Sequence, residues 1–149
     1  MARWLGIDHG VKRIGVAVGD TVSRIASPVE LLLAGAVDVP ARIAELAEEY
    51  AAVGVVVGWP LNADGSEGRQ SRLAQRFAAT VVDRTHLDVR LWDERLSSFQ
   101  ADRQLQGRLT RKKKKRRHDA LAAAVMLGDF LALDGPDSAP RPPGQDPSG

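Results

Sequence analysis

The sequence predicts an α/β fold, a mixed five-stranded sheet with helices on both faces. Three observations carry this. The chain opens on two apolar runs, Trp4 to Ile7 and Ile14 to Val18, separated by a turn at Gly10, which reads as a β-hairpin and an antiparallel start. Val53 to Gly58 is a short unbroken apolar run, as expected of a strand buried on both faces in the middle of an α/β sheet. Around it, segments with apolar residues at helical spacing alternate with strand-like segments, which calls for helical layers on the sheet.

In order, residues 3–8 and 13–19 form the hairpin, and the glycines at 6, 15 and 19 permit close backbone approach. A third strand falls within 22–33, where Ile25, Val29, Leu31 and Leu33 supply apolar positions. Asp38 before Val39 and Pro40 marks a helix start, and Ile43, Leu46, Ala47 and Tyr50 give an amphipathic helix over about 38–51. Pro60 ends the central strand, and Leu61 to Ser66 is a loop by composition. A second helix spans roughly 66–84, with Leu73, Phe77, Ala78 and Val81 on one side. Leu87, Val89 and Leu91 alternate with Asp88, Arg90 and Trp92 as a fifth strand, delivering Asp93, Glu94 and Arg95 at its end. Ser97 and Gln100 have capping-box spacing for a short helix of about 97–106, ended by Gly107. Residues 107–117 are a basic loop or the frayed start of the last helix, an alanine- and leucine-rich segment over 118–133. The sequence thus divides into one domain over 1–133 and a tail over 134–149, rich in proline and glycine and expected to be disordered.

Bulk properties narrow the function. A chain of 149 residues with 44% hydrophobic content supports one real core. The absence of cysteine excludes disulfides, zinc–thiolate sites and cysteine nucleophiles. Aromatic content of 5% argues against an extended base-stacking platform. With no signal pattern and no apolar run of membrane-spanning length, a soluble cytoplasmic protein without a membrane partner is expected. Net charge is only +2, yet Arg111, Lys112, Lys113, Lys114, Lys115, Arg116 and Arg117 are consecutive. Such a run repels itself, and an anionic partner accounts for it better than a solvated loop does. Phosphate contacts of this kind give salt-dependent affinity without sequence specificity.

Three acids stand at element ends: Asp8 on the first strand, Glu94 after the fifth, and Asp119 at the start of the last helix. Metal-assisted phosphodiester hydrolysis needs several carboxylates converging on one or two ions, and magnesium or manganese accepts such oxygen ligands. Each acid also has a plain reading: Asp8 as a turn residue, Glu94 as a surface partner of Arg95, Asp119 as a helix-start acid meeting the dipole. The joint pattern, together with the basic run, favours a nuclease. Lys12 and Arg13, just past Asp8, are placed to meet a flanking phosphate. Asn62 and Ser66 precede a helix whose backbone N–H groups suit a phosphate or form an ordinary cap. His118 is read as a bystander of the basic run, and Trp59 as a packed loop aromatic.

Gly6-Ile7-Asp8, Gly10 and Lys12-Arg13-Ile14-Gly15-Val16-Ala17 resemble the first motif of the YqgF (RuvX) family, Holliday-junction-resolvase-like proteins and pre-16S ribosomal RNA nucleases. The run from Val57 to Gly68 resembles its second motif and Asp93 to Ser98 its third. Lys114 and Lys115 with Asp119, Ala122 and Ala123 resemble its fourth. The resemblance covers residues 3 to about 133, and departs at Gly19, where serine is common, and at Trp59, where a smaller residue is. It implies a ribonuclease-H-like fold and a metal-dependent nuclease with Asp8, Glu94 and Asp119 as catalytic magnesium or manganese ligands. It also makes Arg95, within the third motif, a nucleic-acid contact beside Lys12, Arg13, Asn62, Ser66 and residues 111–117. It favours ribosomal RNA precursor as substrate, with 5′-end maturation of 16S RNA as the role. Branched or single-stranded DNA is the alternative substrate, and a non-catalytic ribosome assembly factor the alternative role. A homodimer is compatible with paired cuts, though the sequence carries no dimer signature. An actin-like or sugar-kinase-like nucleotide-binding domain shares the opening hairpin but needs two such domains.

Overall fold

The computed structural model describes residues 1–96, 111–143 and 145, and over 111–120 the backbone alone. The short helix expected over 97–106 lies outside the described residues. β1 (Arg3–His9) and β2 (Arg13–Asp20) form the hairpin, in register from Arg3↔Asp20 to His9↔Ile14. The Gly10 N–H donates to the Arg13 carbonyl at 3.0 Å across the turn, and a Cβ on Gly10 would stand 2.6 Å from that oxygen. β3 (Ala26–Leu33) pairs antiparallel with β2. It is an edge strand, and Pro28, which has no N–H to give a ladder, sits there beside a register shift.

α1 (Val39–Glu49) starts as its sequence indicates: the Asp38 carboxylate accepts from the Ala41 N–H at 3.2 Å, and Pro40 occupies the first turn. β4 (Ala52–Trp59) returns parallel to β1. α2 (Arg69–Thr85) leads to β5 (Asp88–Asp93), parallel to β4, and a 3-10 turn over Glu94–Leu96 follows. α3 (Arg111–Ala132) and the one-turn α4 (Gly135–Ser138) complete the described elements. The sheet order is β3-β2-β1-β4-β5.

Strand alternation sorts the side chains to two cores. Leu5, Ile7, Val16, Val55, Val57, Val89 and Leu91 meet Ile43 and Leu46 of α1 and Ala74, Ala78 and Val81 of α2. On the other face Trp4, Ala17, Val56 and Trp92 meet Ala123, Met126, Leu127 and Phe130 of α3. Phe130 is the centre of that second core, its ring 5.0 Å from Trp4 and 5.7 Å from Trp92. Gly6 lets α3 come close: a Cβ there would lie 2.7 Å from the Leu127 Cβ and 3.1 Å from the Ala123 carbonyl.

Arg42 of α1 grips Glu30 of β3 with two hydrogen bonds, 2.8 and 2.9 Å. The guanidinium holds the Glu30 carboxyl below its ordinary value. The stabilisation is therefore present above the unfolded value of about 4.3 and is lost as pH falls through the lower folded value. Glu30→Gln is expected to lower the urea midpoint at pH 7, and the gap from wild type should close in acid. A gap that is constant with pH would refute this linkage.

Two expectations need correction. The last helix begins at Arg111, not at 118, so the basic run forms its first two turns and Asp119 lies well inside it. Lysine and arginine are good helix formers, and their run of charge hides that propensity. Asp119 is thus no helix-start acid. The second correction concerns the chain after Leu133, expected to be disordered. Its described residues lie along the free edge of β5. The Leu91 N–H donates to the Pro140 carbonyl at 2.7 Å. The Gln145 amide accepts from the Val89 N–H at 2.9 Å and donates to the Leu87 carbonyl at 2.8 Å. Buried Arg90 donates to the Ala139 carbonyl at 2.6 Å. Prolines cannot donate to a ladder, but their carbonyls accept, so a composition typical of disorder still satisfies an edge strand. Deleting 134–149 is expected to cost on the order of 2–3 kcal/mol and to promote edge-to-edge association. Urea denaturation and light scattering check this; an unchanged midpoint with no association would show the segment to be dispensable.

Candidate active site

Asp8 is next to last in β1, and alternation with Trp4 and Gly6 puts it on the α3 side of the sheet. Glu94 is the first residue after β5. These strands are not neighbours; β4 runs between them. Ile7 pairs with Val57 and Gly58 with Trp92, so Gly58 stands between the ends of β1 and β5. A Cβ on Gly58 would fall 2.6 Å from Glu94 Oε1 and 3.4 Å from its Cδ. The Glu94 carboxylate therefore lies across β4 in the gap left by the missing side chain, toward Asp8.

Only the backbone is described at Asp119. Trp4 meets Phe130, and Gly6 meets Leu127 and Ala123, so residue numbers on α3 fall as those on β1 rise. Position 119, one turn before Ala123, is next in that series, level with the end of β1. Among the described residues no group of three His, Asp or Glu side chains could hold a metal ion, and the Asp119 side chain is not one of them.

The expected nucleic-acid contacts fall into three groups. Lys12 is exposed at the hairpin tip. Arg13 is half-buried and, by its register with Gly15 and Ala17, shares the α3 face with Asp8. Its Nη1 is buried with no hydrogen-bond partner among the described residues. Asn62 and Ser66 are exposed and tie the loop to itself: Asn62 Nδ2 donates to Ser66 Oγ at 3.0 Å, which donates to Asp64 at 2.6 Å. The bonds from Ser66 hold the Asp64 carboxyl below its usual value. Arg95 grips Asp93, with Nη2 2.7 Å from Oδ2, and reaches the Ala63 carbonyl at 3.3 Å. That pairing lowers the Asp93 carboxyl and raises Arg95, and it clamps the loop to the end of β5. Residues 111–117 occupy the start of α3, and the side chains of these residues and of His118 lie outside the described ones.

Trp59 packs in the core shared with α1 and α2, on the face away from Asp8, so it gives no stacking surface beside the acids. Sequence reasoning missed Gly58, whose signal was a glycine interrupting a buried valine run. It also passed over His9, which stacks on Phe77 at 4.4 Å and whose imidazole is pushed below its ordinary pKa by burial.

An antiparallel hairpin extended by two parallel strands, with acids at the ends of the first and last strands, is the ribonuclease-H-like arrangement. The sequence profile of the RuvX family, described as Holliday junction resolvase, matches residues 2–133, and the chain belongs to this family of nucleases. A protein of Anaeromyxobacter dehalogenans named "Putative pre-16S rRNA nuclease" is 43% identical over 131 residues, covering 87% of this chain and 96% of its own. One of the same name from Geobacillus kaustophilus is 38% identical over 136 residues, with the same coverage. Among solved structures, RuvC of T. thermophilus in complex with a Holliday junction substrate superposes with a TM-score of 0.60 at 17% identity, covering 94% of this chain and 99% of that one. That likeness is one of fold.

Proposed function

We propose that the protein is a divalent-metal-dependent phosphodiesterase of the cytoplasm that matures the 5′ end of the 16S ribosomal RNA precursor. Asp8, Glu94 and Asp119 are its metal ligands. The observation that carries this is the Glu94 carboxylate lying over Gly58, on the strand that runs between β5 and the end of β1. A structural acid needs no such gap, and a pure nucleic-acid binder gains nothing from carboxylates set against a phosphate. The donors are all oxygen, two at the ends of strands and one on α3, which suits magnesium or manganese. Such an ion supplies charge neutralisation and activation of water.

The protein's own residues supply orientation. Asp8 and Glu94 fix the ligand positions, and position 119 approaches from the layer above. Arg13, half-buried on the same face of the sheet as Asp8, offers the accessible part of its guanidinium to a non-bridging phosphate oxygen. Lys12 and the start of α3 hold flanking phosphates, while the clamp of Arg95 on Asp93 and Ala63 keeps the loop wall in place.

Ribosomal RNA is favoured over branched DNA by the names of the relatives. The test is cleavage of a labelled 16S precursor end and of a four-way DNA junction, with magnesium or manganese and again with excess chelator. RNA cleavage that stops on chelation is expected, and junction cleavage alone would replace the substrate assignment. Cleavage indifferent to chelator would overturn the metal-dependent mechanism.

A further inference from the structure

Helix α2 starts against the electrostatic preference of a helix. Its first turn holds no acid, and the cations Arg69, Arg72 and Arg76 occupy its first two turns. Positive charge at a helix N-terminus is unfavourable, and like charges at this spacing repel one another. At 3.6 residues per turn the three fall within a strip roughly 60° wide. All three are exposed, while Ser71, Ala74, Ala78 and Val81 form the buried side.

No ion pair relieves them among the described residues. Arg42, Arg84, Arg90 and Arg95 each face a carboxylate, but these three do not. Of the acids nearest in sequence, Glu67 accepts from Gln75 of the same helix and Asp64 from Ser66, and neither forms an ion pair with the row. A row of cations set at the wrong end of a dipole, with no internal partner, breaks a local rule without internal compensation. Such breaks are expected at functional surfaces.

The row also stands at the right end of the molecule. Phe77 stacks on His9, the neighbour of Asp8, which fixes the height of α2 against the sheet. The segment 69–76 therefore extends roughly 12 Å beyond that level, toward the loop that Arg95 clamps to the end of β5. It lies at the same end of the strands as Asp8 and Glu94 but on the other face of the sheet and turned outward, so a bound strand reaches both by passing over the strand ends.

We propose that Arg69, Arg72 and Arg76 form a track for the phosphodiester backbone of the substrate strand flanking the cut. It is a second contact region, separate from the acids and from residues 111–117. This rests on the reading of the protein as a nuclease that acts on a nucleic-acid strand. The guanidinium groups read backbone phosphate and carry no base specificity.

The test measures binding, so that it does not depend on cleavage. Labelled RNA and DNA strands of equal length, extending well past the cleavage point, are titrated by anisotropy with the full chain carrying Asp8→Asn. The same is done with Arg69→Gln, Arg72→Gln and Arg76→Gln added together, at several salt concentrations. Kd for the long strands is expected to weaken about tenfold or more near 0.1 M salt, with the salt slope falling by about two to three phosphates' worth. The matching triple lysine variant, which keeps the charge, should stay near the starting affinity. A triple glutamine variant with unchanged Kd and slope overturns the track, as does a loss on RNA or DNA alone, which would mean sugar or base is read. Such a result beside normal cleavage by the wild type removes the track only. Track-dependent binding by a wild type that cuts nothing removes the nuclease reading instead.

Discussion

Asp8→Asn is expected to lower cleavage by roughly a thousandfold or more while leaving nucleic-acid binding intact or tighter. A metal ligand at the reacting phosphate contributes several kcal/mol of transition-state stabilisation, and about 1.4 kcal/mol is a factor of ten in rate. Asparagine keeps the shape of the side chain and removes the charge. Asp8 is half-exposed at a strand end, so the fold loses little. Binding should improve, because the aspartate charge repels the phosphate it faces when no ion is present. Single-turnover cleavage and anisotropy on the same substrate separate the two effects. Equal cleavage by variant and wild type would remove Asp8 from the mechanism, and parallel loss of cleavage and binding would make it a folding residue.

Gly58→Ala is the sharper experiment, because it changes no charge and replaces no proposed ligand. The new methyl would stand 2.6 Å from Glu94 Oε1, inside any permitted contact. The obstructing atom is the far end of a flexible side chain, so the carboxylate moves and the sheet stays. A displacement of about 1 Å in a catalytic constellation costs about a hundredfold in rate. The expected result is that loss in cleavage with near-native circular dichroism and little change in Tm. Wild-type activity in Gly58→Ala would mean that Glu94 does not act from the position it occupies. A variant that unfolds would show the gap to be needed for packing, and Glu94→Gln would then decide the role of the carboxylate on its own.

The two acids on strand ends were legible from the sequence because strand ends announce themselves. Apolar runs that stop at Asp8 and at Asp93–Glu94 bracket a sheet whose order the hairpin and the buried valine run largely dictate. What joins the acids was not legible. Gly58 matters through what is absent from it, and periodicity counts side chains that are present. The start of α3 stays open in the sequence, between a basic loop and a frayed helix start, because seven consecutive cations carry no apolar period to reveal their helix propensity. The segment after Leu133 was misread for a related reason: it bonds through carbonyls and one glutamine amide, none of which depends on apolar spacing. Arg95 is expected as a nucleic-acid contact from its place in the third motif, and what the sequence does not announce is its grip on Asp93 and the Ala63 carbonyl.

The position of β4 between β1 and β5 also sets when the enzyme can first act. Ile7 pairs with Val57, and Val57 in turn with Leu91, so the acid pair exists only after two parallel pairings between distant parts of the chain have closed. Such long-range pairings are slow, because loop entropy is lost before the contacts repay it. The opening hairpin, by contrast, is local and forms early, and it carries Asp8 without its partner. A chain still emerging from the ribosome thus displays Asp8 without Glu94 beside it until Glu94 and all that precedes it are out. For a nuclease, the fold itself keeps the unfinished chain from presenting its two strand-end acids together.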